Sequence, residues 1–480
     1  MENRENRFDA ALCGGMTAAL FIVQAAYMLR MLAHIGGAGD AFTLSALFAL
    51  VYGAALYGFA RLERPSRGTL LFAGSFLALT MFARVAMLDF VTADYDSFLA
   101  GWTQMFRDGG FAVLGGDNVG DYNLLYQYVL LLISKSPLHD LYLIKLLTVA
   151  FDYALALVMM RAAAQFASPK AALPVMLIVT ALPTTLLGGA CWGQCDSVYV
   201  FFIVLSLVLL GKDRPAGSAV ALAVAFAFKL QTIFFFPVVL LGLIHKRYKL
   251  RHAAAFFAAY LVTMIPALVA GRPFWDALSV YANQSMGQYY DRLTYNAPNL
   301  YLFFPMLGFS NTQPYTWMRY IQGVDEEATN AYLNADLMPA MQTAALYACI
   351  LLTLVVVIYW LMHSAEITQD MTLCFALFFA IFLPFVMPKI HERYFYLADM
   401  LSILYAAKRE DRRFLPLLVV GASWFSYLPY LTRQRPVDER VAALMMFAAL
   451  CMVAHDLLAQ MRLNRMKTAD ARRAKGGETA

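Results

Sequence analysis

Charge is scarce in this chain. Asp, Glu, Lys and Arg make up 14% of its 480 residues, against roughly 25% in an ordinary soluble protein. Hydrophobic residues reach 61% and the mean hydropathy is +0.59. So much apolar side chain cannot be kept in water by so few charges, which excludes a set of soluble domains, and the same figures exclude disorder. Cysteine is sparse as well. Cys13, Cys349, Cys374 and Cys451 lie inside apolar runs, where a thiol behaves as a small hydrophobe. Cys191 and Cys195 are separated by Trp-Gly-Gln, neither a redox CxxC nor half of a zinc site, so a disulfide scaffold and a cysteine metal centre are disfavoured. The dyad alternation of an outer-membrane barrel is missing. No internal repeat or inverted pair of broken helices stands out, which weakens a secondary-transporter reading. The apolar run after Asp9 lacks an A-x-A cleavage site and reads as a first span rather than a signal peptide.

What the chain has in abundance is apolar stretches near the ~20 residues that cross a bilayer. They run over 10–32, 42–60, 69–90, 141–160, 171–189, 197–210, 216–228, 233–244, 253–270, 341–362, 371–387, 394–407, 414–431 and 441–458. This predicts an all-α polytopic membrane protein of about 12–14 transmembrane helices, a single integral-membrane domain over 1–480. The segment 124–134 is too short to cross and reads as an interfacial or re-entrant helix. Basic clusters stand at Arg61/Arg64/Arg67, Lys246/Arg247/Lys249/Arg251, Lys408/Arg409/Arg412/Arg413 and in the tail 462–480. Placing all of them in the cytoplasm satisfies the positive-inside rule with both termini inside. The far side then receives a first outer loop (91–140), the turn 192–196, a second outer loop (271–340) and 388–393, with 229–231 at the same face. These outer loops are rich in Tyr, Trp and Phe, which argues for function rather than disorder.

Asp94-Tyr-Asp96 opens the first outer loop directly after a span. A carboxylate at that boundary is within reach of a lipid head group and an aqueous substrate, and suits general-base work, although a solvated helix start explains a lone DxD equally well. Phe98, Leu99 and Trp102 follow with helical spacing, predicting an amphipathic interfacial helix. Glycine-rich turns then lead to Asp121-Tyr122-Asn123, whose aromatic is either a membrane anchor or a sugar-facing platform. Trp192-Gly-Gln194-Cys-Asp196 joins two spans and places polar groups where lipid would penalise them, so they face protein or a wet cavity. Lys229-Leu-Gln231 does the same; Lys229 either meets an anionic partner such as a lipid phosphate or snorkels. Lys389-Ile-His391-Glu392-Arg393-Tyr394 is a cationic cluster on the side the charge rule leaves poor in cations, and it has the size of a phosphate site. It lacks the second His of a zinc motif, so the sequence does not imply metal hydrolysis and leaves any divalent metal open. Lys145 and Asp152 lie seven apart on one helix face, as a structural pair or a cavity lining. Asn296-Ala-Pro-Asn299 offers amides beside a turn, a weak sugar-contact signal.

Taken in order, these strings resemble the membrane-embedded GT-C glycosyltransferases that use polyprenyl-phosphate sugars. The nearest group is the bacterial relatives of the GPI-anchor mannosyltransferases. The resemblance rests on Asp94-Tyr95 with Phe98-Leu99 and Trp102, Asp121-Tyr122-Asn123, Ile144-Lys145 with Phe151-Asp152, Trp192-Gly-Gln194 with Asp196-Ser197, Lys229-Leu-Gln231, Asn296-x-Pro-Asn299 and His391-Glu-Arg-Tyr-Phe-Tyr396. It implies a helical bundle with a large first luminal or periplasmic loop bearing interfacial helices. It also implies transfer of a hexose, mannose foremost, from a polyprenyl-phosphate donor to a hydroxyl of a glycan, lipid or protein acceptor, with inversion. The family's loop carboxylate maps onto Asp94. Thr92 stands where the relatives carry an earlier acidic residue and Asp96 lies two residues later, so Asp94 and Asp96 remain alternatives. The donor phosphate falls to Lys229, Lys389, His391 and Arg393. Substrate contacts fall to Trp102, Asp121, Tyr122, Trp192, Gln194, Asp196, Gln231, Asn296, Asn299, Glu392 and Tyr394. The rival readings are a multi-pass transporter or flippase of lipid-linked sugars and a polysaccharide polymerase. Nucleic acid is not an expected partner; membrane lipids are, in a bacterial plasma membrane.

Overall fold

A computed structural model describes residues 2–286, 293–303 and 338–477. Among these the chain is helical nearly throughout, as a backbone in lipid must be to satisfy its own N–H and C=O groups. Among the described residues eight helices are long and apolar enough to cross a membrane: Asp9–Met31, Ala38–Glu63, Arg67–Val85, Asp140–Phe166, Pro339–Met362, Gln369–Val386, Glu410–Thr432 and Glu439–Thr468. A ninth candidate is the pair Pro169–Ala181 and Pro183–Trp192, bent by 49°. The break falls where Pro183 cannot donate a backbone hydrogen bond. Shorter apolar helices, among them Asp196–Gly211, Pro215–Phe228 and Leu250–Val262, match expected spans but fall below spanning length. The protein is a multi-pass integral membrane protein.

The chain divides into two compact units, one of residues 1–232 and 250–286 and the other of 233–249 and 287–480. In the first, the helix Asp140–Phe166 is central. It packs on Asp196–Gly211, Ala172–Ala181 and Ala38–Glu63, while Pro215–Phe228 packs on Asp196–Gly211 and Leu250–Val262. Internal ion contacts help to fix this bundle. The Arg84 Nε donates to Asp152 Oδ2 at 3.1 Å, with side-chain exposures of 0% and 1%. The Lys145 Nζ donates to the carbonyls of Met87, Leu88 and Phe90 at 3.2, 2.8 and 2.7 Å. Lys145 and Asp152 therefore share a face without pairing with each other. Each ties a different part of the chain that leads into the first loop.

In that loop a π-helical turn, Tyr95–Leu99, runs into the helix Ala100–Gly109. Leu99 and Phe106 point inward and Phe98 and Met105 outward, the amphipathic helix the sequence predicts. Asn123 caps the next helix, Leu124–Ser134, accepting from the Leu124 N–H at 2.7 Å. That helix buries Tyr126, Gln127 and Leu130.

In the second unit, Thr372–Val386 packs on Tyr396–Lys408, Phe236–Ile244 and the long helix Glu439–Gly477, and Leu415–Thr432 packs on that same long helix. Arg412 binds Asp456 through Nε (2.7 Å) and Nη2 (2.5 Å), and the Tyr405 hydroxyl donates to the same carboxylate at 2.9 Å. Two short parallel strands, Thr294–Tyr295 and Ile390–His391, pair here. Most of the predicted second outer loop lies outside the described residues.

Candidate active site

In the first unit the geometry converges on Asp94. It ends a short chain segment that begins at the carbonyls held by Lys145. Its Oδ2 accepts from the Trp192 indole N–H at 2.9 Å and from the Gln194 amide N–H at 2.8 Å. Both donors are nearly fully buried, at 1% and 3% exposure, whereas Asp94 is half-buried. A buried indole N–H and amide need partners, and here one carboxylate oxygen serves both. Hydrogen bonds to an ionised acceptor are worth about 1.5–3 kcal/mol each.

Local backbone chemistry makes this convergence possible. After the Pro183 break, the chain winds a π-helical turn over Leu187–Trp192. Gly193 then adopts φ 78°, the left-handed region that a side chain disfavours. The Gly193 and Gln194 N–H groups close the turn on the Gly189 and Gly188 carbonyls, both at 2.9 Å. Trp192 and Gln194 thus flank the glycine and reach the same acceptor.

The Tyr122 hydroxyl donates to the Gln194 Oε1 at 3.0 Å. Its ring packs edge-on to Trp102, centroids 6.1 Å apart, and lies 4.3 Å from Tyr126. Gly120, at φ 67°, lies against Trp102, and a Cβ there would overlap the indole. Trp102 and Tyr122 are half-buried and form an aromatic wall one residue removed from the carboxylate. Asp96 and Asp121 are exposed and outside this chain of contacts. Neighbouring Tyr95 donates to Asp140 Oδ1 at 2.6 Å, and His139 lies 3.4 Å from the same oxygen while stacking on His34 at 4.8 Å. Burial and the bond to Asp140 push the Tyr95 phenol well above its ordinary value.

Asp196 and Lys229 form a separate arrangement. Asp196 opens the helix Asp196–Gly211, and Lys229 terminates Pro215–Phe228. They pair at 2.6 Å with side-chain exposures of 6% and 5%, and the ammonium lies 5.9 Å from the Tyr199 ring centre. The anionic partner that Lys229 needs is therefore in the chain itself. Gln231 is buried, and its Oε1 has no hydrogen-bond partner among the described residues.

In the second unit, the strand pair brings Tyr295 onto His391, rings stacked 4.6 Å apart, and Asn296 bridges to His391. The Lys389 N–H donates to the Leu293 carbonyl at 2.8 Å, and Lys389 itself sits at φ 61°. Burial lowers the Lys389 ammonium from its ordinary value. The Arg393 guanidinium lies 5.9 Å from the Tyr394 ring centre, and His391 lies 5.5 Å from it. Lys389, His391, Arg393 and Tyr394 are half-buried, while Glu392 is buried. Asn299 is fully buried; its Oδ1 accepts from the Tyr301 N–H at 3.2 Å and its Nδ2 has no partner among the described residues. Among the described residues no cluster of three His, Cys, Asp or Glu has metal-holding geometry.

Sequence reasoning singles out Asp94, Trp192 and Gln194 but not their mutual contact. It names Tyr95 only within the Asp94 string and does not connect it to the His139–Asp140 pair. Only the spacing of His139-Asp140 at a helix start could have drawn attention to the latter.

A many-helix membrane protein with a carboxylate held at a loop–helix boundary is an architecture suited to group transfer at a membrane surface. The family model of glycosyltransferase family 87 matches residues 128–388, more than half of the chain. The chain belongs to that family, and its activity is that of a membrane glycosyltransferase. No curated protein matches it.

Proposed function

We propose that the protein transfers a hexose, mannose foremost, from a polyprenyl-phosphate donor to an acceptor hydroxyl on the non-cytoplasmic side of the membrane, with inversion and with Asp94 as general base. The observation that carries this reading is the Asp94 carboxylate gripped through one oxygen by Trp192 and Gln194. A base must be held in a fixed orientation to take a proton during attack. As the acceptor O–H proton passes to Asp94, the oxygen bonds to the anomeric carbon and the carbon–phosphate oxygen bond breaks. The polyprenyl phosphate then leaves. Its growing negative charge needs preorganised cations, for which His391, Arg393 and Lys389 are the candidates. Lys229 is the weakest of the four, because Asp196 already neutralises it. Asp96 ranks below Asp94 as base, being exposed to solvent.

The aromatic wall of Trp102 and Tyr122 suits the apolar face of a sugar ring, with Asp121, Gln231, Asn296, Asn299, Glu392 and Tyr394 as further polar or aromatic contacts. The resemblance to GPI-type mannosyltransferases supports mannose. The distribution of basic clusters supports the non-cytoplasmic side, and a bacterial plasma membrane is the setting taken for it.

Donor discrimination tests the proposal. Purified protein in detergent, given a polyprenyl-phosphate mannose and membrane-extracted acceptors, should release polyprenyl phosphate and form glycosidic product. An excess of a diphosphate-linked sugar should not compete. Turnover of only the diphosphate-linked donor would favour a polymerase, and cleavage of neither donor a transporter or flippase.

A further inference from the structure

The residues around Asp94 divide by accessibility. Trp102 and Tyr122 are half-buried, so a sugar can reach them, but Trp192 and Gln194 are sealed at 1% and 3% exposure. A side chain so enclosed is poorly placed to greet an incoming sugar. The hydrogen bonds of the indole and the amide to Asp94 are made inside the protein.

We infer that Gln194 and Trp192 are positioning residues for Asp94, with Tyr122 setting the orientation of Gln194, rather than contacts to substrate. The inference rests on the reading of Asp94 as the base. Two donors on a single Oδ2, at 2.8 and 2.9 Å, fix the plane of the carboxylate and hence the direction of its other oxygen. The amide of Gln194 can present either N–H or oxygen to Asp94, and the second choice would set oxygen against oxygen. The acceptor-only carboxylate excludes the second choice, and the Tyr122 hydroxyl, donating to Oε1 at 3.0 Å, holds the far end of the amide in the first. Gly193 in the left-handed region, with its own N–H and that of Gln194 closed on the Gly189 and Gly188 carbonyls, makes the pair of donors a rigid clamp. The aromatic wall that receives the sugar is thereby linked through Tyr122 to the orientation of the base.

The test uses the full-length protein in detergent, with Trp192 reported by 5-fluorotryptophan and assigned by comparison with Trp192→Phe. In donor-free protein, Asp94→Asn, Gln194→Leu and Tyr122→Phe should each move the Trp192 fluorine resonance. With polyprenyl-phosphate mannose as the kinetic probe, Gln194→Leu should lower kcat about 10- to 100-fold while the donor KM stays within about twofold. Tyr122→Phe should follow in the same direction by about 3- to 10-fold. A raised KM at unchanged kcat, or a Trp192 resonance indifferent to Gln194→Leu, overturns the inference. Should Gln194→Leu not fold, Tyr122→Phe carries the same two readouts. The two readings fail separately. Full activity in Asp94→Asn defeats the base assignment, whereas an inactive Asp94→Asn beside an unaffected Gln194→Leu defeats only the positioning role.

Discussion

Replacing Arg84 by Met should destabilise the first unit far more than replacing Arg84 and Asp152 together. Arg84 donates to Asp152 at 3.1 Å, to the Thr80 carbonyl at 3.1 Å and to the Thr180 carbonyl at 2.9 Å, and its guanidinium lies 5.1 Å from the Tyr153 ring centre. Neither member of the pair is more than 1% exposed. Removing the cation leaves an uncompensated carboxylate in the bundle, which costs about 3–5 kcal/mol. Removing both charges in Arg84→Met with Asp152→Leu forfeits the attraction and the desolvation penalty together, so the double variant should recover a large part of that loss. The coupling energy across the cycle should reach about 2 kcal/mol or more. Titration of the four proteins with SDS in mixed micelles, followed by helical circular dichroism, measures it. Strictly additive costs, with a double variant as unstable as the sum of the singles, would refute the claim that the two charges are held by each other.

Three further outcomes follow from the same geometry. Gly193→Ala forces a side chain into φ 78° at a cost of about 1–2 kcal/mol. It should lower transfer activity by loosening the Trp192–Gln194 turn, measurable as a fall in kcat with little loss of expression. Lys145→Met should release the carbonyls of Met87, Leu88 and Phe90, cost about 1–3 kcal/mol for the buried Leu88 acceptor it leaves behind, and raise amide exchange over 87–94. The third concerns His139, which burial lowers from its ordinary value of 6.5, against a smaller opposite pull from Asp140 and with His34, Arg107 and Asp89 nearby. The unfolded chain then binds more protons than the folded one as pH falls through 6.5. Its contribution to stability should drop below that pH and level off beneath the folded value. His139→Asn should flatten this segment of the stability–pH curve, and an unchanged slope would assign the dependence elsewhere.

The helices were largely legible because a bilayer demands long apolar runs, and runs such as 141–160 and 441–458 admit few other readings. Their ends carried signals too: Ser66 accepts from the Thr69 N–H, and Pro215 occupies a first helical turn. The site was legible only as a collection of parts. Trp192 and Gln194 meet Asp94 across 98 and 100 residues, and no local spacing encodes such a contact. Lys145 binds backbone carbonyls, which have no side-chain signature to match. Lys229 drew the expectation of a lipid phosphate because its need for an anion is plain from sequence, but Asp196, 33 residues away, is the group it meets. The pairing of Thr294–Tyr295 with Ile390–His391 escaped notice because two-residue strands are too short to show alternation.

The central claim is that the Asp94 carboxylate takes the acceptor proton during sugar transfer. Its most direct measurement is single-turnover release of polyprenyl phosphate by purified Asp94→Asn and Asp96→Asn proteins, beside equilibrium binding of the same donor. The account predicts that Asp94→Asn binds donor as the unsubstituted protein does yet transfers at least about 1,000-fold more slowly, while Asp96→Asn keeps most of its rate. Normal transfer by Asp94→Asn, or its loss in Asp96→Asn alone, would contradict it.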